Sequence, residues 1–204
     1  MPRPKSDIDK RILAAARRRF LAEGVDGASL RAIAKDAGTS IGMVYYYFPT
    51  KDELFMAVVE QIYEKLLAGL GEALAKDAPV ARRIERLSLR VAAMSKGELE
   101  TIRLVVREAL SSQRRFESLM ARFRRGHIGQ VIDTIADGIH GGAIDPKLHP
   151  LVVAMSTFAL AIAPQIMRRV GGSQMPFGLA PAAEEPAPAL IDILFHGIGP
   201  RNHP

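Results

Sequence analysis

Apolar residues recur along this chain at intervals of three and four, the period of an α-helix that buries one face. Ile8, Ile12, Ala16 and Phe20 make the first such stripe. Ser6 with Asp9 predicts its start, as a capping box that uses the shorter acid, and Gly24 and Gly27 around Asp26 in "EGVDG" predict its end. Ser29 is placed to cap a second helix, Leu30–Ala37, in which Leu30, Ile33, Ala34 and Ala37 share a face. Gly38 can supply a left-handed turn after it, and Thr39 or Ser40 then caps a third helix through about Tyr47. Pro49 cannot continue that helix; Thr50 and Glu53 predict the start of a fourth, Lys51 to about Lys76, with Leu54, Val58, Ile62, Leu66 and Leu70 along one side.

The remaining pattern predicts helices near 79–95, 98–110, 112–140, 146–171 and 186–198. The alternation and turn dipeptides of strands are missing, so the fold class expected is all-α, about nine helices. Two short helices joined by a tight glycine turn and braced by a longer one describe a helix-turn-helix at about 29–48. The expected organisation is a helix-turn-helix domain over 1–50 and a larger helical domain over 51–204, with a Gly-, Pro- and Ala-rich segment at 171–188.

Tyr45, Tyr46 and Tyr47 stand side by side in the third helix. Neighbouring helical side chains diverge by about 100°, so three consecutive aromatics cannot share one core. Val44 and Phe48 supply the inward stripe, which leaves Tyr45 and Tyr47 for the surface; Tyr46 is compatible with either role.

Charge sharpens this picture. Residues 1–51 hold ten Lys/Arg against five Asp/Glu, whereas the other residues hold 18 against 17. The excess therefore belongs to the helix-turn-helix quarter, as expected of a small module that meets a polyanion. "ARRRF" at 16–20 reads either as a solvated helix face or as phosphate attraction. With no cysteine, disulfides, thiolate metal sites and thiol nucleophiles are excluded. The basic N-terminus lacks the apolar run of a secretory signal, and a cytoplasmic setting is expected. Leu151–Met167 carries no charge but contains Pro164 and Gln165, which suits a buried or interface helix better than a membrane span.

From Asp7 to about Gln61, and above all in "SLRAIAKDAGTSIGMVYYYFPTKDELF", the chain resembles the DNA-binding domain of the tetracycline-repressor (TetR) family of bacterial regulators. The resemblance implies a homodimer whose third helix enters the major groove and whose larger domain binds a small-molecule inducer. A two-fold dimer of such motifs would read half-sites about 34–36 Å apart on operator DNA. It also implies roles for matching residues. Arg31 would reach a base, for which a guanidinium forked onto guanine is the commonest contact. Ile41, Gly42 and Tyr45 would face base edges, while Ser29, Met43, Tyr47 and Lys51 would meet phosphates; Thr39, Ser40 and Tyr46 complete the expected DNA-facing set. Ile41 stands where a polar residue is common, and Met43 where Thr is common, so Ile41 is left to contact a thymine methyl and a hydroxyl contact to phosphate is lost.

The helices near 146–171 and 186–198 are the expected dimer interface, because Ala154, Ser156, Ala159, Ala161 and Ala163 allow close approach across a two-fold. Tyr63, Met94, Phe116, Met120, Phe123, His127, Met155 and Phe158 are candidates for an adaptable apolar pocket, although methionine and aromatic residues at helical spacing also serve simply as core. His127, on a stripe with Met120, Phe123, Val131 and Ile135, fits a hydrogen-bonded core position as well as a ligand contact. The histidines form no metal-binding pair on one helix turn; neither a metal nor another cofactor is expected, nor a membrane partner. No nucleophile elbow, P-loop or dinucleotide fingerprint points to an enzyme. Two other readings remain: a DNA-binding regulator that is constitutive or governed by a protein partner, and a basic module for a protein or membrane surface.

Overall fold

A computed structural model of the chain describes residues 7–171 and 192–195. Its elements are α1 (Ile8–Gly27), α2 (Leu30–Asp36), α3 (Ile41–Tyr47), α4 (Lys51–Ala73), α5 (Val80–Ala92), α6 (Lys96–Ser111), α7 (Gln113–Arg124), α8 (His127–His140) and α9 (Pro150–Gly171). Residues 192–195 are also helical, and no strand occurs among the described residues. The chain divides into two compact units: one holds the chain to Leu66 together with Ser95–Arg122, the other Leu67–Met94 together with the chain from Phe123 onward.

In the first unit α1, α2 and α3 pack over a core of Ile12, Ala16, Phe20, Ile33 and Val44, joined by Leu54, Phe55 and Val58 of α4. Phe20 meets Phe55 edge to face at 6.3 Å, an arrangement that adds to the burial of both rings. The expected break in α1 occurs at Gly24, whose φ of 79° is open to glycine at little cost; one more turn of helix follows to Gly27. Gly38 has φ 61° and makes the turn between α2 and α3. Thr50 caps α4 as expected, its Oγ1 accepting from the Glu53 amide at 3.1 Å. Ser29 sits at the cap position of α2, but its side chain makes no capping hydrogen bond. Ser6 lies outside the described residues.

In the second unit α5, α8 and α9 pack on one another around Ile84, Leu87, Val91, Val131, Ile135, Ile144, Val153 and Ala154. Gly138 lets α8 approach the loop that follows it: a Cβ there would lie 2.7 Å from Ile144 Cδ1. Arg83 is 4% exposed yet fully engaged. Its Nε donates to the Leu74 carbonyl at 3.0 Å, Nη1 to Asp137 at 2.8 Å and Nη2 to Thr134 Oγ1 at 2.9 Å.

The helix expected over 112–140 is in fact two, α7 and α8. The backbone leaves the helical region at Gly126 (φ −119°, ψ −120°), and a Cβ on Gly129 would come within 2.9 Å of the Arg124 carbonyl. Gly129 thus permits a close approach to the Arg124 carbonyl that any larger side chain there would obstruct. α6 begins earlier than expected because Ser95 and Glu98 form a complete capping box. Of the helix expected over 186–198, only 192–195 falls among the described residues, and the segment 172–191 lies outside them.

Candidate nucleic-acid interface

α3 begins where Ser40 Oγ accepts from the Met43 amide at 3.3 Å and ends at Phe48, which leaves the helical region with φ −137°. Val44 is the one side chain of α3 that is fully buried. Its burial fixes the rotation of the helix, and the rest of the face follows from 100° steps. Tyr45 is 50% and Tyr46 76% exposed; Gly42 is also exposed, while Ile41, Met43 and Tyr47 are half-buried. Tyr46 therefore does not close the core. It packs edge-on against Tyr47 at 5.2 Å, and Tyr47 in turn lies 6.4 Å from the Phe48 ring.

Ser29 and Arg31 on the α2 side are exposed, as is Ser40; Thr39 is half-buried. Arg31 makes no ion pair among the described residues, which leaves its five donors available. Lys51 differs. Its ammonium donates to the Asp26 carbonyl at 2.9 Å, which fixes one of its three N–H bonds.

The basic run of α1 divides the same way. Arg17 bonds Glu100 at 3.0 Å and the Gly97 carbonyl of α6. Arg19 grips both oxygens of Asp36 at 2.7 and 3.2 Å and also meets Glu23. That grip ties α1 to α2 and holds the Asp36 carboxyl below the usual range. Arg18 stays exposed. Two of the three arginines in "ARRRF" thus have internal partners.

A set of charged residues that the sequence reading passed over lies beside these. Arg115 on α7 has a side chain only 6% exposed. Its guanidinium reaches Asp26 through Nη1 at 3.0 Å and Nη2 at 2.6 Å, Asp52 through Nη1 at 3.2 Å, and Glu108 at 3.2 Å. Hydrogen bonding to Arg115 depresses the Asp26 carboxyl pKa, and Asp26 chiefly raises that of Arg115. Glu108 Oε1 in turn accepts from the Val25 amide at 3.2 Å, next to the backbone break at Gly24. The sequence signal for this cluster was weak: Asp52 reads as a helix-dipole acid and Asp26 as a turn residue, and their common partner is far along the chain.

The candidate pocket residues are divided between the units. Tyr63, Phe116 and Met120 belong to the first, and Met94, Phe123, His127, Met155 and Phe158 to the second. Tyr63 is buried beneath Arg122, whose guanidinium carbon lies 4.6 Å from the ring centre. Phe116 at 40% and Met155 at 64% exposure do not have the enclosed positions of pocket-lining groups. His127 does sit among aromatics, 5.0 Å from Phe123 and 5.5 Å from Phe158. Met94 is buried. No helix among the described residues is long and apolar enough to cross a membrane, and no cluster of metal-ligating side chains occurs among them.

Comparison with known proteins gives this geometry a context. Residues 12–58 match the family described as bacterial regulatory proteins, tetR family. The chain is similar to the HTH-type transcriptional regulator YhgD of Bacillus subtilis, 26% identical over 76% of this chain and 82% of that one. It is also similar to the HTH-type transcriptional regulator RutR of Escherichia coli K12, 32% identical over 70% of this chain and 65% of the relative. Its fold resembles that of the transcriptional regulator FadR of Bacillus subtilis, solved in complex with stearoyl-CoA, at TM-score 0.70 and 15% identity over 93% of this chain and 98% of that one.

Proposed function

We propose that the chain, which belongs to the tetR family of bacterial regulatory proteins and is a DNA-binding transcriptional regulator, works in the cytoplasm as a ligand-responsive repressor rather than an enzyme. It binds a pseudo-palindromic operator as a homodimer. The observation that carries this reading is α3 itself, with Val44 its one fully buried side chain and Tyr45 and Tyr46 turned outward, together with an exposed Arg31 on α2. Arg31 reads a guanine edge, Ile41, Gly42 and Tyr45 face bases, and Ser29, Met43, Tyr47 and Lys51 meet the backbone, with Thr39, Ser40 and Tyr46 at the margins.

Support for the dimer comes from α9. Leu151, Met155, Ala159 and Ala163 are exposed at successive four-residue steps, with Val152 exposed beside them, which makes an uncharged exposed stripe. A second copy across a two-fold would bury it. Support for a ligand comes from α8, where Gln130 Oε1, one turn beyond the aromatic-flanked His127, is buried and accepts no hydrogen bond among the described residues. A small molecule with an apolar body and one N–H or O–H donor would satisfy that acceptor. Binding of stearoyl-CoA by FadR is a precedent for an apolar ligand on this fold.

The test is a gel shift with DNA upstream of the chain's own gene over a range of salt concentrations. A specific complex that outlasts non-specific binding is expected, and Arg31→Ala should weaken it by about 1–3 kcal/mol while relaxing the preference at one base pair. An affinity unchanged by that substitution would remove Arg31 from the interface.

A further inference from the structure

Lys51 and Arg115 are 64 residues apart in sequence, yet a single acidic residue touches both. Arg115 holds the Asp26 carboxylate through two nitrogens, and the carbonyl of the same Asp26 receives the Lys51 ammonium. Arg115 also bonds Asp52, the residue that follows Lys51, whose other oxygen is taken by Arg114 at 2.6 Å. The first two residues of α4, Lys51 and Asp52, are thereby both tied. The Asp26 side chain is 76% exposed, and among the described residues Arg115 is the side chain that grips it.

We propose that Arg115 is a positioning residue for DNA binding, which acts by holding Asp26 and Asp52 so that the Lys51 ammonium is aimed and its neighbouring carboxylates are neutralised. The inference rests on the reading of Lys51 as a phosphate contact. An ammonium on a four-carbon stem has many rotamers, and ordering it before DNA arrives removes that entropy cost from binding. Asp26, left unpaired beside Lys51, would repel the phosphate that Lys51 attracts, and Asp52 would keep only Arg114 of its two arginines. A planar guanidinium suits the task because it can hold two carboxylates in fixed directions, which a lysine at 115 could not.

Arg115→Ala removes one of the two cations that hold the buried Glu108, the other being Arg107 at 3.2 Å, so the informative variant is Arg115→Lys, which keeps the net charge and loses the fork. Operator affinity and its salt dependence are measured for the full-length protein, Lys51→Ala, Arg115→Lys and the double variant. Lys51→Ala is expected to lower the salt slope by about one unit. Arg115→Lys should lower the slope and the affinity in the same sense, and adding it to Lys51→Ala should change the slope no further. A reduced slope for Lys51→Ala with full additivity in the double variant, or a normal slope for Arg115→Lys, overturns the positioning role while sparing the phosphate contact. A normal slope for Lys51→Ala instead overturns the phosphate reading, and the inference with it.

Discussion

Arg83 carries its charge into the second unit at 4% exposure, which is tolerable only because each nitrogen that points inward has an acceptor. Asp137 is the anionic part of that set, and it also takes Lys76 at 3.1 Å. Hydrogen bonding to Arg83 first, and then to Lys76, lowers the Asp137 pKa from its ordinary value. The folded carboxyl therefore binds fewer protons than the unfolded one between the two pKa values. The stability it contributes is complete above the unfolded value of about 4 and fades as pH falls through the folded one. Asp137→Asn should depress the thermal midpoint at neutral pH, with the gap to the parent protein closing below about pH 4. Midpoints measured across that range decide it; a gap that stays constant into acid would mean that the carboxylate charge is not what Arg83 requires.

At the scale of elements, α2 and α3 have seven residues each, far below the length at which an isolated helix holds together in water. They exist because α1 packs on α2 and α2 on α3, which buries Ile33, Ala34 and Val44, and because Ser40 caps the start of α3. Ser40→Ala should cost about 1 kcal/mol, read as lost hydrogen-exchange protection of the Met43 amide in the free protein. In the second unit, Gly138→Ala should cost about 1–3 kcal/mol in denaturant unfolding, because the new methyl meets Ile144 and Val80 at contact distances of 2.7 and 3.1 Å. α2, α3 and the start of α4 were legible in the sequence because their signals are local: a cap, a turn glycine, a proline and a four-residue stripe. The break between α7 and α8 was not, since "RRGHIG" contains no proline and two glycines three residues apart do not by themselves announce a break. Val44 as the inward anchor made the outward turn of Tyr45 legible, whereas the DNA-facing roles of Arg31 and the other candidates came from the family resemblance. The Arg115 cluster did not, because ion pairs between helices distant in sequence leave no periodic trace.

At the scale of the molecule, the exposed stripe on α9 and the outward face of α3 make one joint prediction. Met155, in the middle of the stripe and 64% exposed, should become a barrier when replaced by arginine. Met155→Arg is expected to sediment as a monomer and to lose cooperative binding to a two-half-site operator, since one copy spans only a single half-site. A variant that remains dimeric and binds normally would move the interface elsewhere. The economy of α3 has a longer reach. Because Val44 is the one fully buried side chain of that helix, its exposed positions such as Tyr45 and Tyr46 can be exchanged with little penalty to folding. Duplicated copies of such a gene can therefore drift toward new promoters one outward residue at a time, keeping a viable protein at every step. Selecting variants randomised at positions 41, 43, 45 and 46 against altered operators would show how far that freedom extends.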